Sequence, residues 1–331
     1  MLLIALMLHA PPLVPCGTGV EVTRHAWAMG TELVVEVRAA SGEVAAAASE
    51  AILVEVERYD ALLSTWAPTT PLSALNRADA GRPLELPAEV LELLAETAEW
   101  TRRTGRAFDP TIGAIVDAWD LRGSGRVPTA DELAVARGAA GPGAFSVDRR
   151  RGVAIRHREG VWIDSGAFGK GAALRAVASV LQHFDVAAAT VNLGGQVLIH
   201  GPGCPRRISV ADPGGGPGRI FEMEVVASSV ATSGHSERPG HLLDPRSGQR
   251  TPAWGSVTII DRDPLAADVL ATALYVMGPD AGITWATEAD VAALFVVDRE
   301  DGRATTWSPA LERFRAGTAQ SEAVPTSYQE R

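Results

Sequence analysis

Cysteine, net positive charge and long apolar segments are scarce in this chain. Its 331 residues include two cysteines, Cys16 and Cys204, which are too few for a disulfide framework or a cysteine-based zinc site. Acidic residues outnumber basic ones by 40 to 30, and the formal net charge is -10. This balance argues against a nucleic-acid-binding surface, which needs a basic face. The apolar residues 1–8 are far too few to span a bilayer.

The leader, residues 1–19, has two interpretations. Its apolar start is typical of an export signal, and residues 13–16 resemble a bacterial lipoprotein cleavage box with Cys16 as the lipidated residue. This interpretation predicts an exported protein, periplasmic or lipid-anchored at the outer face of the cytoplasmic membrane. The alternative is a cytoplasmic protein with an apolar leader. Residues 318–331 are polar and predict a mobile tail, which leaves residues 20–317 as the folded body.

Apolar residues are plentiful, at 46% of the chain, and can form the core of one large domain or two small ones. Apolar patterns and turn signals predict strands at residues 20–27, 32–38, 188–193, 196–200, 207–210, 221–226 and 293–298. Helices are predicted at residues 41–63 and 87–104, from a capping box at 129–132, from about 169 to 184 and at 264–277. Helices alternating with antiparallel-looking hairpins favour an α+β fold over a doubly wound sheet.

A glycine-rich turn at residues 164–171 gives the strongest chemical signal. It begins with Asp164 and leads through three glycines and Lys170 into a helix. Such a turn allows backbone N–H groups to approach phosphate oxygens closely. It is not a Walker A loop, because two residues instead of four separate its first glycine from the Gly-Lys pair. In addition, Gly171 stands where a Walker A loop has its metal-binding Ser or Thr. Metal ligands for a phosphate bound here must therefore come from elsewhere in the chain.

Asp268 and Thr272 are candidates for those ligands. Their i, i+4 spacing places a carboxylate and a hydroxyl on one face of the predicted helix 264–277, one turn apart. Both are hard oxygen ligands of the kind that Mg²⁺ accepts beside substrate phosphates. The alternative is an acid that complements the helix dipole and a threonine bonded to a backbone carbonyl.

Three further segments place polar side chains next to turns. Asp109 precedes a proline at a predicted helix start. It could have a functional role or simply be the N-cap of that helix. Residues 191–195 end a strand in a polar residue, asparagine, followed by two glycines. This pattern is equally typical of a functional turn and of a simple hairpin turn. The loop 231–248 is dense in ionisable residues, a pattern more often functional than structural. His241 is its best candidate general base, because an imidazole titrates near neutral pH.

Together and in this order, these segments resemble the ApbE family, the FAD:protein FMN transferases. The resemblance covers roughly residues 21–300 and rests on Met29-Gly30-Thr31, Ser64-Thr65-Trp66, Phe108-Asp109-Pro110-Thr111, residues 164–171, Asn192-Leu193-Gly194-Gly195, Thr232-Ser233-Gly234, residues 241–248, and Asp268 with Thr272. It implies an α+β, T-fold-like arrangement of mixed sheets flanked by helices, with the flavin site in a cleft between two lobes. Members split FAD, place FMN on a Thr or Ser hydroxyl of a target protein through a phosphoester bond, and release AMP.

The resemblance also implies a role for each matching residue. The residues expected to bind FAD are Met29, Trp66, Ala107, Phe108, Asp109, Asp164, Lys170 and Leu243. Within this set Met29 and Trp66 are expected to flank the flavin, and Asp164 and Lys170 to lie beside the ribityl-diphosphate. The residues expected to hold Mg²⁺ are Ala167, through its carbonyl, Asp268 and Thr272. His241 is expected to be the catalytic residue that activates the acceptor hydroxyl.

The implied partners are FAD, as substrate, and an acceptor flavoprotein subunit that carries the modified Thr or Ser. Trp66 stands where many members have tyrosine, which preserves stacking. Two other functions remain open at this point. One is an FAD pyrophosphatase that uses water as acceptor and gives FMN and AMP. The other is a non-catalytic FAD-binding carrier.

Overall fold

A computed structural model describes residues 19–314, except residues 202–203, 215–217, 237–238 and 301. The predictions for Cys16, for nearly all of the leader and for the tail at 318–331 therefore fall outside the described residues. Within the described part, each helix is too short or too polar to cross a bilayer.

The strands of the described part are β1 (Val20–Ala28), β2 (Thr31–Ala39), β3 (Leu84–Glu85), β4 (Phe145–Asp148), β5 (Val153–Arg156), β6 (Val186–Leu193), β7 (Gln196–His200), β8 (Arg206–Ala211), β9 (Arg219–Val225), β10 (Ser229–Gly234), β11 (Gly255–Asp261), β12 (Ala292–Arg299) and β13 (Gly302–Trp307). The helices are α1 (Gly42–Leu63), α2 (Pro71–Arg77), α3 (Ala88–Arg103), α4 (Gly113–Ala118), α5 (Ala130–Ala139), α6 (Gly169–Leu181), α7 (Pro264–Met277) and α8 (Pro279–Glu288), followed by a 3₁₀ helix at Pro309–Phe314.

An eight-stranded antiparallel sheet organises the fold, in the order β1-β2-β6-β7-β10-β11-β12-β13. Two of its hairpins turn through two residues with positive φ, Met29-Gly30 at 50° and 74° and Gly194-Gly195 at 54° and 86°. These turns match the right-handed twist of paired strands. The smaller sheets, β3-β5-β4 and β8-β9, are antiparallel as well. The α+β class is confirmed, whereas the expectation of mixed sheets is wrong, since the named strands pair only in the antiparallel sense.

Helices cover one face of the large sheet and a hairpin covers the other. α1 and α6 pack on β2 and β6, where Ile52 and Val177 meet Val35 and Val191. On the opposite face, the β8-β9 hairpin and the 3₁₀ helix form a second core over β7 and β10 to β12. α7 lies in a third core and is buried along most of its length. A charged side chain on α7 is therefore exceptional, and Asp268 is the one it has.

The sequence predictions hold for long elements and fail for several short ones. The capping box at Thr129 and Glu132 is present, and Asp263 caps α7 by accepting a hydrogen bond from the Leu265 amide. β10, β11, α8 and β13 are not predicted from the sequence. The predicted strand at residues 293–298 is β12, and β13 follows it. Asp109 does not cap α4, whose N-cap residue is Ile112.

An ion-pair cluster ties α3, α6 and α7 together. Arg175 on α6 donates from Nη1 to Glu96 Oε2 at 2.6 Å and from Nε to Asp263 Oδ1 at 2.6 Å. Glu96 lies on α3, and Asp263 is the N-cap of α7. The hydrogen bond from Arg175 lowers the pKa of Glu96 below its ordinary value of 4.5. The cluster therefore fixes the start of α7 relative to α6.

Replacing Glu96 with glutamine tests this cluster. Its side chain is 33% exposed, so solvent screens the pair and we expect the free energy of unfolding at pH 7 to fall by about 1 kcal/mol. Because the folded-state pKa lies below the unfolded one, the carboxylate stabilises above about pH 4.5 and loses this effect as pH falls. Urea unfolding at pH 7 and pH 3.5 should show the difference shrinking. Glu92→Gln, whose partner Arg149 is exposed, is the matched control; equal losses in both variants would contradict the proposed clamp.

Candidate functional site

The glycine-rich turn is anchored on both sides by side chains from other elements. Residues 161–163 before it form only an isolated bridge, from Trp162 to Ile112, and Asn76 of α2 donates to the Ile163 carbonyl and accepts from the Ile163 amide, each at 2.8 Å. Ser165 Oγ donates to the carbonyl of Leu63 at 2.9 Å, and the Asp164 amide donates to the Pro110 carbonyl at 2.8 Å. The turn is thereby fixed between the ends of α1 and α2 and the segment before α4.

Glycine is required where α6 crosses α7. A Cβ added at Gly171 would lie 2.5 Å from the Pro264 carbonyl oxygen and 2.8 Å from Leu265 Cα, closer than real Cβ contacts allow. The Gly171 amide donates to Asp268 Oδ2 at 2.8 Å. Direct backbone contact between two helices is possible only without a side chain at the crossing. Gly171 thus brings the start of α6 onto the acid of α7.

Lys170 and Asp268 meet at this crossing. Asp268 is 6% exposed, and Lys170 Nζ lies 3.8 Å from its Oδ1. Thr272, one turn further along α7, is half-buried. Within the described residues, no three His, Cys, Asp or Glu side chains form a metal-binding group. One buried carboxylate and one hydroxyl nevertheless fit Mg²⁺, which often takes few protein ligands and completes its shell with water and phosphate oxygens.

Met29 and Ala167 lie on the turn itself or against it. The Met29 Cε atom is 3.3 Å from where a Cβ of Gly169 would be, so the β1-β2 hairpin contacts the start of α6. Ala167 is half-buried within the turn, and Phe168 beneath it is fully buried. The structure therefore gathers Met29, Asp164, Ala167, Lys170 and Asp268 around one helix N-terminus.

Ala107, Phe108 and Asp109 are buried beside this region. Ala107 is 0% and Phe108 1% exposed, and the Phe108 ring packs edge-on against Phe168 at 6.5 Å. Asp109 Oδ1 accepts hydrogen bonds from the Thr111 amide at 3.0 Å and the Thr111 hydroxyl at 2.5 Å. Neither Ala107 nor Phe108 therefore presents open surface to a ligand in this structure.

The charge of Asp109 is balanced by a neighbouring arginine. Asp109 Oδ2 accepts from Arg106 Nη2 at 3.3 Å. The Thr111 hydroxyl in turn accepts from the Gly141 amide at 2.8 Å. This chain of contacts joins the segment before α4 to the segment after α5, which is a structural task.

His241 and Leu243 lie on a separate loop. Leu243 is buried against α4 and α5. The His241 ring meets the His235 ring edge-on at 5.8 Å. His235 Nδ1 accepts from the Gly240 amide at 3.1 Å, so its Nε2 carries the proton and donates to the Thr251 carbonyl at 3.1 Å. A fixed imidazole therefore supports His241, and His235 is a residue to which the sequence interpretation gives no role.

Two features of the site escape the motif-based predictions. Arg122, in the connection between α4 and α5, donates to Asp164 Oδ2 at 2.5 Å, although nothing in its local sequence marks it. Lys170 has a compositional signal that spacing does not reveal: it is the single lysine of the chain, and the other 29 basic residues are arginines. An ammonium is compact and strongly hydrated, unlike a guanidinium, so Lys170 presents a point charge that no other side chain of the sequence offers.

A family model, curated relatives and solved structures match most of this chain. A family model described as the ApbE family matches residues 29–295. The FAD:protein FMN transferase of Vibrio cholerae is 27% identical over 263 residues, which cover 75% of this chain and 78% of that protein. The apo crystal structure of the Pseudomonas stutzeri flavinyl transferase ApbE aligns with a TM-score of 0.81 at 28% identity, over 91% of this chain and 98% of that one. The crystal structure of the ApbE protein of Thermotoga maritima aligns with a TM-score of 0.80 at 30% identity, over 90% of this chain and 100% of that one.

A pair of helical glycines tests the crossing of α6 and α7. Gly171→Ala should lower the free energy of unfolding by about 1–3 kcal/mol, because the methyl group has no room against the α7 backbone. Gly138 of α5 is the matched control, since nothing lies within 4 Å of an added Cβ. Gly138→Ala should stabilise the protein by about 0.5–1 kcal/mol through helix propensity. Denaturant unfolding measures both variants, and a Gly171→Ala variant as stable as the wild type would refute the close contact.

Proposed function

Because the chain belongs to the ApbE family, we propose that it transfers FMN from FAD to a Thr or Ser hydroxyl of a target protein and releases AMP. Its distant relatives are FAD:protein FMN transferases. The single observation that carries the proposal is the meeting of Lys170, the Gly171 amide and the buried Asp268 at the start of α6. A cation, the N-terminus of a helix and a hard-oxygen metal ligand are groups that a diphosphate site uses.

The start of α6 is suited to a phosphate oxygen. No side chain caps this helix end. The Gly169 amide donates to the Ser165 carbonyl and the Gly171 amide to Asp268, while the Lys170 amide meets no acceptor within the described part of the chain. The helix dipole favours negative charge at this end. An oxygen of the FAD diphosphate would accept from the Lys170 amide and ammonium together.

Charge neutralisation is the main chemical problem of the reaction. The negative charge of a diphosphate repels an attacking nucleophile, and cations placed around it remove that barrier. Asp268, Thr272 and the Ala167 carbonyl would hold Mg²⁺, which when bound withdraws charge from the diphosphate and stabilises the leaving AMP. The Lys170 ammonium neutralises diphosphate charge from the protein side, and because it is already in place it need not move during the reaction.

His241 supplies the base in this proposal. The acceptor hydroxyl attacks the phosphorus of the FMN half, its O–P bond forms, the bond to AMP breaks, and the hydroxyl proton moves to the His241 imidazole. The fixed His235 ring orients His241 from one side. Met29, Trp66 and Asp164 would line the cleft that contains the flavin and ribityl chain, as in the two-lobed arrangement expected for the family, whereas Leu243 is buried against α4 and α5.

Product analysis with a His241 variant tests the proposal. The wild type, incubated with FAD, Mg²⁺ and a flavoprotein subunit as acceptor, should release AMP and leave an acid-stable yellow label on the acceptor. His241→Ala should bind FAD as the wild type does, measured by flavin fluorescence, and should transfer about 10²–10⁴ times more slowly.

The control and the contrary outcomes are distinct. His183→Ala changes an exposed imidazole beyond the far end of α6 and should transfer normally. AMP and FMN without label would instead indicate a pyrophosphatase. Unchanged FAD would indicate a carrier, and loss of FAD binding in His241→Ala would make His241 a binding residue.

A further inference from the structure

Arg122 joins three segments that no motif connects. Its side chain is 19% exposed. Nη2 donates to Asp164 Oδ2 at 2.5 Å and to Thr65 Oγ1 at 3.0 Å, while Nε lies 3.9 Å from Asp117 Oδ1. One planar guanidinium therefore connects the loop after α1, the end of α4 and the first residue of the glycine-rich turn.

The same guanidinium lies against two indole rings. Its Cζ atom is 5.3 Å from the Trp66 ring centroid and 5.4 Å from that of Trp162, both within the range of cation–π attraction. Trp66 is nevertheless 71% exposed. A large, exposed indole that rests on a cation has restricted orientation and keeps open area for stacking by a planar ligand. Arg122 thus supports the ring that is expected to contact the flavin.

Asp164 raises an electrostatic difficulty that Arg122 resolves. A carboxylate beside a diphosphate repels it unless a cation lies close to the carboxylate. Lys170 is paired with Asp268 on α7, so Asp164 needs another partner. The fork of Arg122 supplies a short, charge-assisted hydrogen bond of the kind that fixes a carboxylate in place.

Resting on the proposed function, we infer that Arg122 is a positioning residue of the FAD site. It fixes Trp66 and Asp164 relative to each other and balances the charge of Asp164. The flavin can then stack on Trp66 while the diphosphate lies beside Asp164. Arg122 acts through these two residues and not on the reacting phosphorus. Its loss should therefore weaken FAD binding and leave the chemical step nearly unchanged.

Arg122→Gln and Arg122→Lys test the inference in the full-length protein. Flavin fluorescence titration should give a Kd for FAD about tenfold higher for Arg122→Gln. KM should rise in parallel, with kcat within about threefold of the wild type. Arg122→Lys keeps the charge but not the planar fork, so its Kd should lie between the two. Arg126→Gln is the matched control: Arg126 is in the same connection but pairs with Glu132, and FAD affinity should not change.

A double variant separates positioning from general loss of structure. In Asp164→Asn the carboxylate is gone, so adding Arg122→Gln to it should cost less affinity than the same change costs the wild type. Equal losses in both backgrounds would overturn the inference, as would wild-type affinity in Arg122→Gln or a fall in kcat at constant KM. These results can occur in a protein that transfers FMN, in which case only the role of Arg122 fails. A wild type that does not bind FAD would overturn both proposals.

Discussion

The crossing of α6 over α7 at Gly171 is the contact on which the site depends. A side chain at this position would collide with backbone atoms of Pro264 and Leu265, so the two helices approach each other only because glycine is there. The approach lets the Gly171 amide donate to Asp268, and it places Lys170 beside the same carboxylate. Arg175 fastens the same helices through Asp263. The helices pack on the large sheet, but this crossing determines where the charges of Lys170 and Asp268 meet.

Each carboxylate near the turn has its own cation or amide partner. Asp268 faces Lys170 and the Gly171 amide, Asp164 faces Arg122, and Asp109 faces Arg106. The region can therefore accept an anionic dinucleotide although it is rich in acids and the chain as a whole is negative. The arrangement differs from a Walker A loop, in which one continuous segment supplies the phosphate contacts and the metal hydroxyl. In the proposed function those tasks are divided between the turn and α7.

Local patterns predict what local physics determines. Strand alternation in β1 and β2, the capping box of α5, and the Asp263 cap of α7 are set by neighbours in sequence, and the structure confirms them. The sequence does not predict β10, because residues 229–234 are mostly small or polar and form a strand only by pairing with β7 and β11. The meeting of Gly171 with Asp268, 97 residues apart, and the place of Arg122 depend on tertiary packing. Periodicity carries no information about either contact.

If the start of α6 receives the diphosphate of FAD, bound FAD should shield Lys170, the single lysine of the chain. The modification rate of the Lys170 amine by an acylating reagent can be followed by mass spectrometry of the peptide that contains it, with the terminal amine as internal reference. Saturating FAD with Mg²⁺ should slow modification of Lys170 strongly and leave the terminal amine unaffected. Modification of Lys170 at the same rate with and without bound FAD would contradict diphosphate binding at the start of α6.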